Sequence, residues 1–210
     1  MTRVLHDISV LVQPGTPEWP GDAPFSCGWT CRMADGAAVN LSSTSGSPHV
    51  GTHADAPLHV RDGWPSSEAL PLDAFLGEAL VMDVSGAPDG VLPLAADDSR
   101  LQGVTRLLLR TGRTIASGGF PAAWPVLHPD VATALATRGL RLLGVDAPSV
   151  DERESKTLAV HHALFANGAF VLENLDLRAV PAGRYELVAL PQRLGGLDAA
   201  PVRAALRALS

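Results

Sequence analysis

The sequence predicts an α/β protein in which helices pack on a mixed sheet, formed as one domain over residues 1–210. Three observations predict it. The first apolar runs are joined by short turns, as in antiparallel hairpins. The later ones alternate with helical segments, as in parallel units. And 210 residues suffice for one substantial core but not for two domains and a linker.

Taken in order, residues 4–10 alternate apolar and polar positions, the pattern of an opening strand. Residues 13–24 place four prolines and two glycines around Trp19, which forbids regular structure and leaves a long ordered loop or arm. Trp19 either anchors that arm on the core or walls a binding pocket. Residues 25–33 and 37–44 flank Ala34-Asp35-Gly36 and read as a hairpin. After residues 47–59, a helical turn is expected at 71–76, a fully buried strand at 78–84 with Asp83 as its capping residue, and another strand at 105–111. Gly118-Gly119, in a Gly- and Pro-rich stretch, lacks the spacing of a phosphate loop and reads as a turn. Residues 129–138 form a helix closed by Gly139, and 140–145 a buried strand. A second helix at 157–166, with Leu158, Leu164 and Phe165 available for packing, closes at Asn167-Gly168 and leads into a strand at 169–172. The last strand is placed at 185–190, and 201–209 reads as a short terminal helix or tail.

Composition narrows the function. The net charge of -6, with 16 Lys+Arg that form no basic stripe, argues against nucleic acid and leaves small molecules as partners. No run approaches the roughly 18 apolar residues of a membrane span. The first thirteen positions carry Arg3, His6 and Asp7 and no cleavage pattern, so the cytoplasm is the expected location. On a strand, the Cα atoms of Cys27 and Cys31 would be about 13 Å apart, too far for a disulfide, and two buried free thiols are expected.

Residues 47–59 read S-P-H-V-G-T-H-A-D-A-P-L-H and hold three of the seven histidines. His49, His53, Asp55 and His59 supply the nitrogen and oxygen donors that zinc and its neighbours prefer. Pro48, Gly51 and Pro57 break the segment, so a shaped loop is expected rather than a helix or strand face. His59 is either a further ligand or a free base beside the metal. A second set lies downstream. His161 and His162 are adjacent on a helix, about 100° apart, so only one of them can face a given site. Glu173 follows an apolar strand, where a carboxylate is costly without a cation or a donor. Together these exceed what one tetrahedral zinc accepts beside a catalytic water, which favours two ions sharing carboxylates and, with them, hydrolysis.

At this point the residues resemble a known family. H-V-G-T-H-A-D-A-P-L-H is similar to the H-x-G-T-H-x-D-x-P-x-H signature of the metal-dependent cyclase and formamidase family, and within it to the bacterial kynurenine formamidases. E-W-P-G-D at 18–22, V-D-A-P-S-V-D at 145–151, S-K-T-L-A-V-H-H-A-L at 155–164 and V-L-E-N-L at 171–175 extend the resemblance over most of the chain. It implies a swivelling β/α/β fold and a homodimer whose N-terminal arm reaches the neighbouring subunit. It also implies a two-zinc centre: His49, His53 and Asp55 on one ion, Asp55 and Glu173 bridging to the second, and His161 as the helical ligand with His162 its neighbour. Trp19 would line the substrate pocket and His59 would donate and accept the proton. The implied activity is hydrolysis of N-formyl-L-kynurenine to L-kynurenine and formate, a step of tryptophan degradation. Within the same family, an isatin-type hydrolase that opens a cyclic amide, possible with manganese, is the nearest rival. The spacing does not match the H-x-H-x-D-H of metallo-β-lactamases, and no G-x-S-x-G elbow of a serine hydrolase occurs. Outside catalysis, a metal-dependent ligand-binding module is the competing reading.

Overall fold

The structure is a computed structural model that describes residues 4–209; positions 1–3, Arg3 among them, and Ser210 lie outside it. β1 (Leu5–Asp7) opens the chain, followed by β2 (Ser26–Cys31) and β3 (Leu41–Ser45). Next come β4 (His53–Asp55), β5 (Leu76–Asp83), the short β6 (Gly90–Val91), β7 (Arg106–Arg110) and the short β8 (Pro125–Val126). The α/β portion runs α1 (Pro129–Thr137), β9 (Leu142–Val145), α2 (Ala159–Phe165) and β10 (Phe170–Glu173). β11 (Gly183–Val188), β12 (Ala199–Pro201) and β13 (Ala205–Ala208) complete it.

A 9-stranded sheet has the order β1-β13-β11-β5-β7-β9-β10-β4-β12. Its middle, β5-β7-β9-β10, is parallel. Both flanks are antiparallel. This is the α/β architecture with a mixed sheet that the sequence predicts. The parallel strands carry apolar runs at 79–82, 107–109, 142–145 and 170–172, where both faces of the sheet are largely covered. Leu107, Leu109, Leu143 and Val171 lie on the side that packs with Leu135 of α1 and Leu164 of α2. Leu108, Leu142 and Leu172, pointing the other way by the period of two, join Ile8, Phe75 and Leu187. At the start of α1 the His128 ring accepts a hydrogen bond from the Asp130 amide (3.2 Å), and the chain leaves the helix through Gly139. Asp83 sits at the end of β5, where its carboxylate accepts from the Ser85 amide and pairs with Arg110.

Four expectations need correction. Residues 199–208 hold two strands rather than a terminal helix, so β11 is not the last strand; the Ala-rich tail favours helix locally, but the ladders to β4, β11 and β1 override that preference. Cys27 is exposed and Cys31 half-buried, both free, because among the described residues β2 and β3 pair only with each other and neither face of the hairpin meets the core. The segment around His53 is not purely a loop: His53–Asp55 is a buried strand between β10 and β12, since Gly51 and Pro57 flank these three positions without interrupting them. The opening strand is shorter than 4–10, with an isolated bridge from Ser9 to Leu175 beyond it. Among the described residues no helix is long and apolar enough to cross a membrane.

Candidate metal centre

The site follows from strand register. His53 and Asp55, two residues apart on β4, project to the same face. Antiparallel pairing sets Glu173 of β10 opposite His53, and Val171 opposite Asp55. That face is the helix-covered one, because Val171 belongs to the core beneath the helices while Ala54 and Leu172 belong to the opposite one. α2 crosses above it and lowers His161 into the cluster; His49 arrives from the turn before Gly51. Asp55 Oδ1 then lies 3.1 Å from His49 Nδ1 and 3.2 Å from His53 Nε2, and Asp55 Oδ2 lies 3.1 Å from His161 Nε2. Glu173 lies 3.3 Å from His161 Nε2 through Oε1 and 3.5 Å from His53 Nε2 through Oε2.

The outward nitrogen of each imidazole is tied to an oxygen. His53 Nδ1 donates to the Gly51 carbonyl (2.9 Å) and His161 Nδ1 to Asp151 (2.7 Å). Asp151 also accepts from the Val160 and His161 amides, which makes it the cap of α2 as well as the anchor of its histidine. His49 Nε2 and His59 Nδ1 both donate to Asp198 Oδ2, at 2.9 and 3.1 Å. Glu173 Oε1 accepts from the Val150 amide at 2.8 Å. Thr52 holds the surrounding backbone: its Oγ1 accepts from the Val10 amide and donates to the Asn174 carbonyl, joining the N-terminal segment, the histidine turn and the end of β10. The two non-glycine residues with positive φ among those described, Leu158 (46°) and Asn174 (55°), line the cavity over the cluster, where strained backbone commonly accompanies function.

The donor set fits a cation. His53 Nε2 and Asp55 Oδ1 are sealed from solvent and only 3.2 Å apart, yet neither makes a hydrogen bond. Two such atoms that do not point at each other are aimed at a common third position, and leaving them unpaired is costly. The protonation balance tells the same story. Burial alone would strip protons from His49 and His53, but the hydrogen bond from His49 to Asp198 and the nearby Asp55 carboxylate raise its pKa to about 10, and Asp55 and Glu173 raise that of His53 to about 9. His161 is raised well above its ordinary value against its own burial by Asp151, Asp55 and Glu173. Burial opposes ionisation of Asp55, yet the His53 charge, the His161 hydrogen bond and the neighbouring His49 hold its carboxyl well below the usual range. Glu173 is lowered too, against burial and the nearby Asp55, by His161 and His53. Asp198 is held below the ordinary range chiefly by the His49 hydrogen bond. Two buried carboxylates thus draw positive charge into the cluster, which protons supply here and a divalent ion supplies better. Two overlapping donor groups, His49-Asp55-His59 and His53-Asp55-Glu173, share Asp55, with ligand atoms within 4.8 Å of one another in each.

The structure brings His49, His53, Asp55, His161 and Glu173 within contact of one another. Of the helical pair, His161 is buried and faces the cluster, while His162 turns away and packs against Trp64 with ring centroids 5.9 Å apart. His59 stands at the rim, its ring 4.6 Å from that of His49 and 5.8 Å from that of His161. A cavity of about 730 Å³ opens over the cluster, lined among others by Trp19, Phe120, His59 and Lys156. Trp19 makes edge contacts with Phe120 (5.4 Å) and Trp124 (6.0 Å), so it is both anchored on aromatic residues and part of the cavity wall. Sequence reasoning assigned no role to Thr52, Asp151 and Asp198. Thr52 and Asp151 stand inside motifs quoted above, whereas Asp198 carries no local signal.

Comparison with known proteins places this site in context. Residues 6–152 match the Cyclase family model, a span that includes the histidine turn and ends before α2. A solved structure described as a potential metal-dependent hydrolase with cyclase activity is 27% identical, with 100% of each chain covered and a TM-score of 0.82. A predicted metal-dependent hydrolase from Bacillus stearothermophilus is also 27% identical, with 99% of each chain covered and a TM-score of 0.81. Isatin hydrolase A from Ralstonia solanacearum shares the fold at 20% identity and a TM-score of 0.80, over 99% of this chain and 92% of its own. With its family model matched across most of its length, this chain belongs to the cyclase family.

Proposed function

We propose that this chain is a metal-dependent hydrolase, a single catalytic domain that cleaves N-formyl-L-kynurenine to L-kynurenine and formate. One observation carries the reading: two buried carboxylates, two buried imidazoles and the half-buried His49 meet at the floor of an aromatic-walled cavity with a further imidazole, His59, at its rim. His49, His53, Asp55, His161 and Glu173 would hold two zinc ions, with the carboxylates shared. When bound, such ions lower the pKa of water and polarise an amide carbonyl. The two structures at 27% identity, one described as a potential and the other as a predicted metal-dependent hydrolase, support metal-dependent hydrolysis.

The protein's own residues do the rest. Trp19 and Phe120 offer faces and edges against which an aryl ring stacks. An arylamine nitrogen leaves poorly unless it gains a proton as the C–N bond breaks. With Nδ1 of His59 bound to Asp198, Nε2 is the atom that takes a proton from the attacking water and returns it to that nitrogen, while the water oxygen ends in formate. The apolar side chains exposed on the hairpin and near the N-terminus, Trp29, Met33, Leu41 and Leu11, support a homodimer formed with that arm. The free cysteines suit a cytoplasmic setting.

The isatin-type reading rests on the shared fold, and the same cluster would serve ring opening of a cyclic amide. One assay tests both: metal content and hydrolysis of N-formylkynurenine and isatin, before and after chelation. The expected result is activity lost with the metal, restored by zinc, and faster on the formamide. The opposite ranking selects the isatin-type reading. A zinc-loaded protein inert toward amides and lactones overturns catalysis and leaves the ligand-binding module.

A further inference from the structure

We propose that Asp198 is a positioning residue that sets, with one carboxylate oxygen, the tautomers of both the ligand His49 and the proton carrier His59. The inference deepens the proposed function and rests on its reading of His59. Asp198 Oδ2 lies 2.9 Å from His49 Nε2 and 3.1 Å from His59 Nδ1, and the two rings stand 4.6 Å apart at 47° to each other. An ionised carboxylate only accepts hydrogen bonds, so both facing nitrogens carry hydrogen. In the neutral ring that a metal ligand requires, His49 is thereby left with its Nδ1 lone pair toward the cluster, where Asp55 lies 3.1 Å away. His59 is left with its Nε2 lone pair free, although an unconstrained neutral imidazole prefers the hydrogen on Nε2. Without Asp198 each ring is free to present the wrong nitrogen.

The backbone fixes the carboxylate. Asp198 accepts at its carbonyl from the Ala56 amide (2.8 Å), and its neighbour Ala199 pairs with Asp55 in the ladder between β12 and β4. Asp198 therefore moves with the strand that carries Asp55. Asp151 does the same for His161 alone; Asp198 differs in serving two rings with different tasks, which links metal binding to proton transfer through one side chain.

The test uses full-length zinc-loaded protein, Asp198→Ala and Asp198→Asn, each with and without His59→Ala. Long-range proton–nitrogen correlation spectra of the ¹⁵N-labelled protein read which nitrogen of His59 bears hydrogen. The parent is expected to show it on Nδ1, and Asp198→Ala to move it largely to Nε2. Zinc affinity, from competition with a chelator, falls roughly 10- to 100-fold. Turnover at saturating zinc falls roughly 10- to 100-fold with His59 present, and less than about threefold once His59 is alanine. Asp198→Asn, which keeps one accepting oxygen and the shape, falls between parent and Asp198→Ala, and carries the comparison if the alanine variant does not fold. Hydrogen on Nε2 of His59 in the parent overturns the proposal, as does an equal loss of turnover in both His59 backgrounds. The spectrum does not depend on turnover: an inert protein with Nδ1 protonated refutes the proposed reaction and supports the tautomer assignment, and an active one with Nε2 protonated does the reverse.

Discussion

Replacing Gly51 by alanine tests the geometry of the histidine turn with a single methyl group. Gly51 has φ of 76°, and a Cβ built there would sit 2.3 Å from Val12 Cγ2. The left-handed conformation alone costs an alanine roughly 1 kcal/mol. The overlap adds about 1–3 kcal/mol, because a β-branched valine has few rotamers into which to retreat. The total expected loss is about 2–4 kcal/mol in urea denaturation of the chelated protein. The function suffers as well, since the Gly51 carbonyl accepts the His53 Nδ1 hydrogen bond and any shift of the turn loosens that ligand. Adding Val12→Ala removes the colliding methyl and leaves only the backbone strain, so a double-mutant cycle should return a coupling of about 1–3 kcal/mol in the favourable direction. A Gly51→Ala protein within about 0.5 kcal/mol of the parent, or a cycle with no coupling, would refute this account of why glycine stands in the motif.

His59→Ala should retain the parent's zinc content and lose roughly 10²-fold or more in turnover; loss of zinc with unchanged activity per ion would make His59 a ligand instead. Asp151→Ala removes both the α2 cap and the anchor of His161, so stability should fall by about 0.5–2 kcal/mol and zinc affinity by roughly 10- to 100-fold, measured by denaturation and chelator competition; an unchanged affinity refutes the anchoring role. The metal-free protein should have a distinct pH profile. His49 and His53 are raised from 6.5 to about 10 and about 9, so their contribution is complete below pH 6.5 and is lost as pH rises through those values. Asp55 and Glu173 are lowered, so theirs is present above their ordinary values of 3.8 and 4.5 and lost on acidification. Thermal melts of chelated protein should therefore peak between about pH 5 and 6.5 and decline toward pH 10, with a flatter profile when zinc is bound; a chelated melting temperature that rises from about pH 7 to 9.5 contradicts the assignment.

The parallel middle of the sheet was legible because its strands, though short, are apolar runs and the helix between β7 and β9 has ordinary start and stop signals: Pro129 opens α1, Gly139 follows its end, and β7 and β9 are rich in leucine. The tail was not, since Ala-Ala-Pro-Val-Arg-Ala-Ala-Leu carries no alternation strong enough to outweigh its helix preference, and only the ladders to β4, β11 and β1 decide it. The exposed Cys27 shows the complementary failure. Strand propensity identified the hairpin, but nothing local states that it pairs only with itself and leaves both faces outside the core. For the site, ligand types and spacing on one segment stand out, as with His49, His53 and Asp55. Their partners do not, because Asp198 is an isolated acidic residue until the strand β12 sets it beside Ala56.

That division has a physical cause. A metal ligand must be a histidine or a carboxylate, so the chemistry restricts the residue type and the type is visible in the chain. A residue that orients a ligand needs only an accepting oxygen, and the structure uses a backbone carbonyl at Gly51 for His53, a helix-capping carboxylate at Asp151 for His161, and Asp198 for His49. These solutions differ in residue type because each is met by whatever oxygen the fold delivers to that place. The register between β4 and β10 makes the rest unavoidable. Once Glu173 stands opposite His53 and Asp55 follows two residues on, two carboxylates share one buried face, and among the described residues no lysine or arginine pairs with either of them. Among the described residues the titratable groups that face them are imidazoles, and imidazoles can balance two carboxylates either by holding extra protons or by turning lone pairs toward a divalent ion. The unpaired His53 Nε2 and Asp55 Oδ1 favour the ion, because added protons alone leave both atoms without a hydrogen bond.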